Sequence, residues 1–232
     1  MPAIPDLATC KKVGFIVPSS NTAVEPITQS IFQSLNANII CLFTRIQVKT
    51  VGTDASSTSQ FSTETLVAAA KLLADAQADA ILWNGTSGMW VGTGVEADEQ
   101  LAKAMQDATG IPCSTTTLAT VQALRGCRAK RIGIAVPYDD ALAEMVAKFF
   151  KGLDRTFEVT MTACLKPTPA SNLEIARSAL QSIRGVIRQA GAKRKAEAVV
   201  VACTNWPAAF LVDELEKELG TVIVDSVVVT VW

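Results

Sequence analysis

The sequence predicts an α/β protein made of two pseudosymmetric, mainly parallel halves, with a site in the cleft between them. Three observations predict it. First, short continuous apolar runs alternate with amphipathic stretches along the chain. Apolar runs without polar alternation suit strands buried on both faces, and strand–helix alternation gives parallel sheets covered by helices. Second, KKVGFIVPS (11–19) matches KRIGIAVPY (130–138), so that Gly14 aligns with Gly133 and Pro18 with Pro137 at an offset of 119 residues. Third, ADAILWNGTS (78–87) matches AEAVVVACTN (196–205), so that Gly85 aligns with Cys203 and Thr86 with Thr204 at an offset of 118. Two repeats from different parts of the unit at nearly one offset indicate an internal duplication. The halves are expected at 1–116 and 117–232, each near the usual domain size.

The elements follow in order. Strands are predicted in VGFIVP (13–18), NIICLF (38–43), DAILWN (79–84) and IPCST (111–115) of the first half. Their counterparts are RIGIAVPY (131–138), FEVTMTACL (157–165), AEAVVVAC (196–203) and TVIVDSVVV (221–229). Helical periodicity runs through 64–77, 98–110 and 173–191, with Gly110 and Gly191 placed as helix C-caps. TGIPCSTTTLATV (109–121) also aligns with LGTVIVDSVVVTV (219–231). In the first half a helix continues to about Arg125, whereas the second copy stops at Trp232, so the natural chain is expected to carry the matching helix further.

Composition narrows the functional classes. Of 232 residues 49% are apolar and 19% charged, enough for a large core, and the formal charge of −1 gives no case for nucleic acid or a membrane surface. No apolar run approaches the roughly 20 residues that span a bilayer, and the N-terminus lacks the pattern of a signal peptide. The six cysteines, at 10, 41, 113, 127, 164 and 203, form no C-x-x-C pair, and histidine is absent. A zinc site of usual spacing is therefore not expected, and reduced buried thiols suggest the cytoplasm. Without histidine, proton transfer near neutral pH falls to Cys, Asp, Glu, Lys or Tyr.

The strand ends supply the candidate site. The loops 17–26, 84–90, 136–140 and 203–207 follow the repeated strands, and ligands of open α/β sheets bind beyond carboxyl strand ends. Hydroxyls, amides and backbone N–H groups there suit a small carboxylate. Cys203 alone among the cysteines ends a strand at such a loop; a helix start there would lower its pKa and make it a proton carrier or nucleophile. Tyr138, the only tyrosine, ends another strand. Ser19 and Ser20 suit a helix cap before Asn21. Trp83, Met89, Trp90 and Trp206 are expected to form an apolar wall. No phosphate-cradling motif is present.

Taken together, VPSSNTAVEP, NGTSGMW, GIPCSTTTLATVQAL, VPYDD and the strand-end Cys203 resemble the aspartate/glutamate racemase superfamily, closest to its arylmalonate decarboxylase and maleate cis-trans isomerase branches. The resemblance covers nearly the whole chain. It implies a cofactor-independent, metal-free enzyme acting on a small dicarboxylate. Racemases and isomerases of that superfamily carry a cysteine in each half, and this chain has Gly85 at the first position. Its Gly-Thr-Ser is the decarboxylase pattern, which implies that Thr86, Ser87, Tyr138 and the Thr204 N–H hold a carboxylate as it becomes an enediolate, protonated by Cys203. Asn21 and Asn172 look more like the isomerase, where such residues grip a dicarboxylate. A malonate decarboxylase is the reading adopted. An isomerase or racemase, and a carboxylate-binding protein without turnover, are the alternatives. The oligomeric state is left open, a homo-oligomer included.

Overall fold

The computed structural model describes residues 6–92, 94–153, 157–192 and 196–232. Lys11–Pro18 (β1), Val24–Ser34 (α1), Ile39–Ile46 (β2), Ala55–Ser59 (α2), Thr63–Asp75 (α3), Ala80–Trp83 (β3), Val95–Thr109 (α4), Cys113–Thr115 (β4) and Thr116–Gly126 (α5) come first. Arg131–Val136 (β5), Asp140–Gly152 (α6), Glu158–Cys164 (β6), Asn172–Ala176 (α7), Leu180–Ala192 (α8), Ala198–Val201 (β7), Val212–Leu219 (α9), Val222–Asp225 (β8) and Ser226–Val231 (α10) follow. The strands form two four-stranded parallel sheets, ordered β2-β1-β3-β4 and β6-β5-β7-β8. The second order is the first moved along by four strands, which is the duplication expressed as topology.

Register carries the same relation. Ile16 pairs with Trp83 in the first sheet and Ala135 with Val201 in the second, reproducing both sequence offsets. All four residues of β7 are fully buried, which explains its apolar run. The repeated glycine lies where a central strand meets its crossover helix. A Cβ on Gly14 would come 2.9 Å from Leu73 Cδ1 of α3, and one on Gly133 would overlap the Ala190 carbonyl oxygen of α8. Each helix can approach its sheet closely because that position carries no side chain.

The helices after the last strand of each sheet are exchanged. Val121 and Leu124 of α5 are buried with the core of the second sheet, and Val227 of α10 is buried with Phe15 and Val17 of β1. The Thr116 and Thr230 hydroxyls meet at 2.7 Å where α5 and α10 cross. Thr115 caps α5 through Leu118 N at 3.2 Å, and Asp225 caps α10 through Val227 N at 2.9 Å. Among the described residues no helix is long and apolar enough to cross a membrane.

Some sequence expectations are corrected. The stretch 221–229 is strand only over Val222–Asp225; Asp225 caps α10, which takes the chain on from Ser226. The stretch 173–191 is two helices, α7 and α8, because no apolar side chain is buried between Ile175 and Ile183 to hold the intervening turn against the sheet. Gly191 is no C-cap. It lies inside α8, where a Cβ would press on Leu219 Cδ1 at 3.2 Å and Val199 Cγ2 at 3.3 Å. Gly110 does cap α4, with φ of 71° and its N–H on Gln106 O at 2.8 Å.

Candidate active site

All four repeated strand ends contribute to one small cavity. It is lined by Pro18 and Asn21 after β1, Gly85, Thr86 and Ser87 after β3, Tyr138 after β5, and Cys203, Thr204 and Asn205 after β7. Asn172, at the start of α7, also lines it. Val48, Val51 and Phe61, from the segment between β2 and α3, close it together with Trp83 and Trp90. The centre of a water molecule can range over about 30 Å³ of it, within about 340 Å³ of space, open solvent at its mouth included, that protein atoms do not fill.

A chain of hydrogen bonds crosses the cavity from one half to the other. The Thr86 and Tyr138 hydroxyls lie 3.4 Å apart, where either can donate, so that a substrate oxygen can take the Thr86 proton, and the Tyr138 hydroxyl donates to the Cys203 sulfur. The backbone N–H groups of Asn205 and Trp206 also donate to that sulfur. These donors favour a thiolate, and burial opposes them. Cys203 is 3% exposed, so desolvation dominates and pushes its thiol up to about 11. Burial likewise raises Tyr138 well above its ordinary value, and the neighbouring Cys203 adds to the rise.

This reverses the expectation of a thiol acidified by a helix start. Residues 204–206 form a turn, a single 3₁₀ turn spans Ala209–Leu211, and α9 begins only at Val212. The helix start expected directly after the sulfur is not there. Cys203 is a protonated thiol at neutral pH.

The mirror position explains the asymmetry. A Cβ at Gly85 would overlap the Trp83 indole, which folds back across the strand end. Trp83 is 1% exposed, donates from Nε1 to Ser87 Oγ at 3.2 Å, and rests on Phe61. Where the second half presents sulfur, the first presents backbone beneath an indole. The Ser87 hydroxyl proton stays available, because its oxygen is the acceptor.

The asparagines are more engaged than expected. Asn21 Oδ1 accepts from Ala23 and Val24 N–H at the start of α1, and Nδ2 donates to Thr204 Oγ1 at 3.1 Å. Asn172 Nδ2 donates to Ser20 Oγ at 2.8 Å. Each Nδ2 keeps a second N–H. Sequence reasoning missed Asn205. Its Oδ1 accepts from Thr22 N at 3.0 Å and its Nδ2 donates to Asn172 Oδ1 at 2.9 Å, tying the β7 turn to α1 and α7. Its alignment with Ser87, at the same offset as Cys203 with Gly85, was the available signal.

The expected tryptophan wall is halved. Trp83 and Trp90 line the cavity, Met89 lines a different one, and Trp206 is fully buried away from both. Among the described residues no three Cys, Asp or Glu side chains gather as metal ligands would.

Known proteins resemble the chain. A family model described as arylmalonate decarboxylase matches residues 13–232. Maleate isomerase of Pseudomonas putida is 25% identical over 229 residues, 95% of this chain and 89% of the relative. Arylmalonate decarboxylase of Bordetella bronchiseptica is 25% identical over 140 residues, 60% of this chain and 57% of the relative. Among solved structures, a Nocardia farcinica maleate cis-trans isomerase mutant with a covalently bound succinylcysteine intermediate superposes with a TM-score of 0.85 at 20% identity, covering 96% of this chain and 90% of that one. A sulfate-associated glycine-to-cysteine mutant of arylmalonate decarboxylase gives 0.74 at 22% identity, covering 95% and 90%. The fold is shared with both enzymes, as the sequence resemblance implied, and the relatives divide between two activities. With the family model covering all but the first twelve residues, the chain belongs to the arylmalonate decarboxylase family of enzymes.

Proposed function

We propose that the protein is a cofactor-independent decarboxylase of a small malonate-type dicarboxylate, with Cys203 as proton donor. The observation that carries this reading is the occupied mirror position, Gly85 beneath the Trp83 ring. Racemisation by proton exchange needs an acid and a base on opposite faces of one carbon. Decarboxylation needs only one acid, because departure of carbon dioxide generates the carbanion.

The proposed step balances as follows. The bond between the α-carbon and one carboxylate breaks, and its electron pair passes to the α-carbon and onto the retained carboxylate as an enediolate. Thr86, Ser87 and the Thr204 N–H donate to the enediolate oxygens; such donors, preorganised in a dry site, are worth factors of about 10²–10³ each. The Cys203 S–H then delivers its proton to the α-carbon. Tyr138 donates to the resulting thiolate until solvent reprotonates it. Asn21 and Asn172 offer their remaining amide N–H groups to the substrate, with the two halves kept as 1–116 and 117–232. A thiol pushed up to about 11 supports an acid rather than a resting nucleophile.

The second reading is a maleate cis-trans isomerase, favoured by the relative of that activity that matches 95% of this chain. One experiment separates them. The protein is incubated in deuterated buffer with vinyl-, methyl- and phenylmalonate, maleate, and D- and L-aspartate, and followed by NMR. Loss of carbon dioxide with one deuterium gained at the α-carbon is the expected result. Fumarate from maleate would install the isomerase, and deuterium exchange into aspartate the racemase. A carboxylate-binding protein would turn over none of them.

A further inference from the structure

We infer that Trp90 sets the substrate range of this site, standing as the partition between the carboxylate pocket and a much larger cavity behind it, so that the native protein takes malonates with a small substituent. Trp90 lines both spaces. On one side is the pocket of about 30 Å³ around Cys203; on the other is an open cavity of about 680 Å³. The apolar lining of the larger space comes from Met89, Val95, Met145, Phe149 and Leu153.

Two indoles face the carboxylate pocket, and they are held differently. Trp83 is hydrogen-bonded to Ser87 and lies against Phe61, ring centroids 6.0 Å apart and tilted by 52°. Trp90 is 8% exposed and makes an edge contact with Tyr138, ring centroids 5.5 Å apart. Its Nε1 is buried without a hydrogen-bond partner. An unpaired buried N–H costs free energy, and nothing polar in the fold accounts for an indole at this point. What the ring does there is fill space. With polar groups committed to the carboxylates, the third substituent of the α-carbon must meet the apolar wall, and Trp90 is the section of that wall with room behind it.

A substituent that delocalises the carbanion lowers the barrier to losing carbon dioxide. A compact unsaturated group satisfies both demands, whereas a phenyl ring needs the volume the indole occupies. Selectivity among malonates rests on the decarboxylase reading; the partition does not.

The test therefore has two arms, run on the native protein, Trp90→Leu and Trp90→Phe, with circular dichroism confirming the fold. The first arm compares alkylation of Cys203 by N-methylmaleimide and N-phenylmaleimide, resolved at that residue by peptide mass spectrometry. Trp90→Leu is expected to raise the phenyl-to-methyl rate ratio at least tenfold, and Trp90→Phe about threefold if the leucine variant does not fold. The second arm compares kcat/KM for vinylmalonate and phenylmalonate. The native protein is expected to favour vinylmalonate at least tenfold, and Trp90→Leu to erase that preference. An unchanged alkylation ratio in a folded variant, or a native preference for phenylmalonate, would overturn the inference. A shifted alkylation ratio with no malonate consumed by any variant would uphold the partition and sink the decarboxylase reading instead.

Discussion

Cys203 keeps its proton at neutral pH because the surrounding protein buries its thiol. Tyr138 and two backbone N–H groups pull its pKa down, burial pushes it up, and burial wins, leaving the thiol at about 11. The reactive thiolate is then scarce below that value, and its fraction grows about tenfold per pH unit. Alkylation of Cys203 by iodoacetamide should rise steadily from pH 7 to pH 10 without a plateau near the ordinary thiol value of ~8.5. Tyr138→Phe removes a donor to the thiolate and should slow alkylation further at every pH, as peptide mass spectrometry would show. A plateau near pH 8.5 would contradict the buried, protonated thiol. The identity of this residue was legible in the sequence, because a repeat put it at a strand end in a polar loop. Its charge state was not. That depended on where α9 starts, nine residues later than the strand–helix pattern suggested, and on how tightly Val48, Val51 and Phe61 close the pocket.

The elements record the duplication most clearly where strand and helix touch. Gly14 and Gly133 occupy equivalent places under α3 and α8, yet their neighbours differ. A methyl at Gly14 would meet the movable end of Leu73, whereas at Gly133 it would strike a backbone carbonyl. Overpacking of this kind costs about 1–3 kcal/mol. Gly133→Ala should sit at the upper end or beyond and Gly14→Ala at the lower end, measured by urea unfolding. The helix after β8 carries a second signature. Asp225 is fully buried, caps α10 with Oδ1, and leaves Oδ2 without a partner. Burial pushes its carboxyl up to about 7, against an ordinary 3.8. With the folded value raised, its stabilising contribution is complete below the unfolded pKa and is lost as pH climbs through about 7. Between pH 5 and pH 8 the native protein should lose about 2–3 kcal/mol relative to Asp225→Asn, which keeps the cap and cannot ionise. Equal pH dependence of the two would contradict the buried carboxyl. The sequence aligned Asp225 with Thr115 as counterparts before two helices, but only the packing of α10 beneath β1 shows the carboxyl to be sealed.

At the scale of the molecule, two similar halves enclose a site that is not symmetric. The pairing offsets of 119 and 118 survive in the sheet registers, so the two-half α/β plan was legible from KKVGFIVPS and ADAILWNGTS alone. What no repeat could give was the exchange of α5 and α10 between cores, since both helices look the same locally and only distant partners tell them apart. The repeat pointed to Asn205 through Ser87, but not to its partners: the side chain lines the pocket and also ties the β7 turn to α1 and α7. The wall formed by Val48, Val51 and Phe61 was hidden as well, because it comes from a connecting segment outside both repeats. The halves meet so that one strand end offers sulfur and its counterpart offers bare backbone under Trp83. In the decarboxylase reading proposed above, only one face of the carbanion can then receive a proton. The direct measurement is decarboxylation of α-methyl-α-vinylmalonate in deuterated buffer, with the configuration of the product read by chiral chromatography. One enantiomer carrying a single deuterium, and none formed by Cys203→Ala, is the outcome required of a lone thiol; a racemic product, or undiminished turnover in Cys203→Ala, would contradict it.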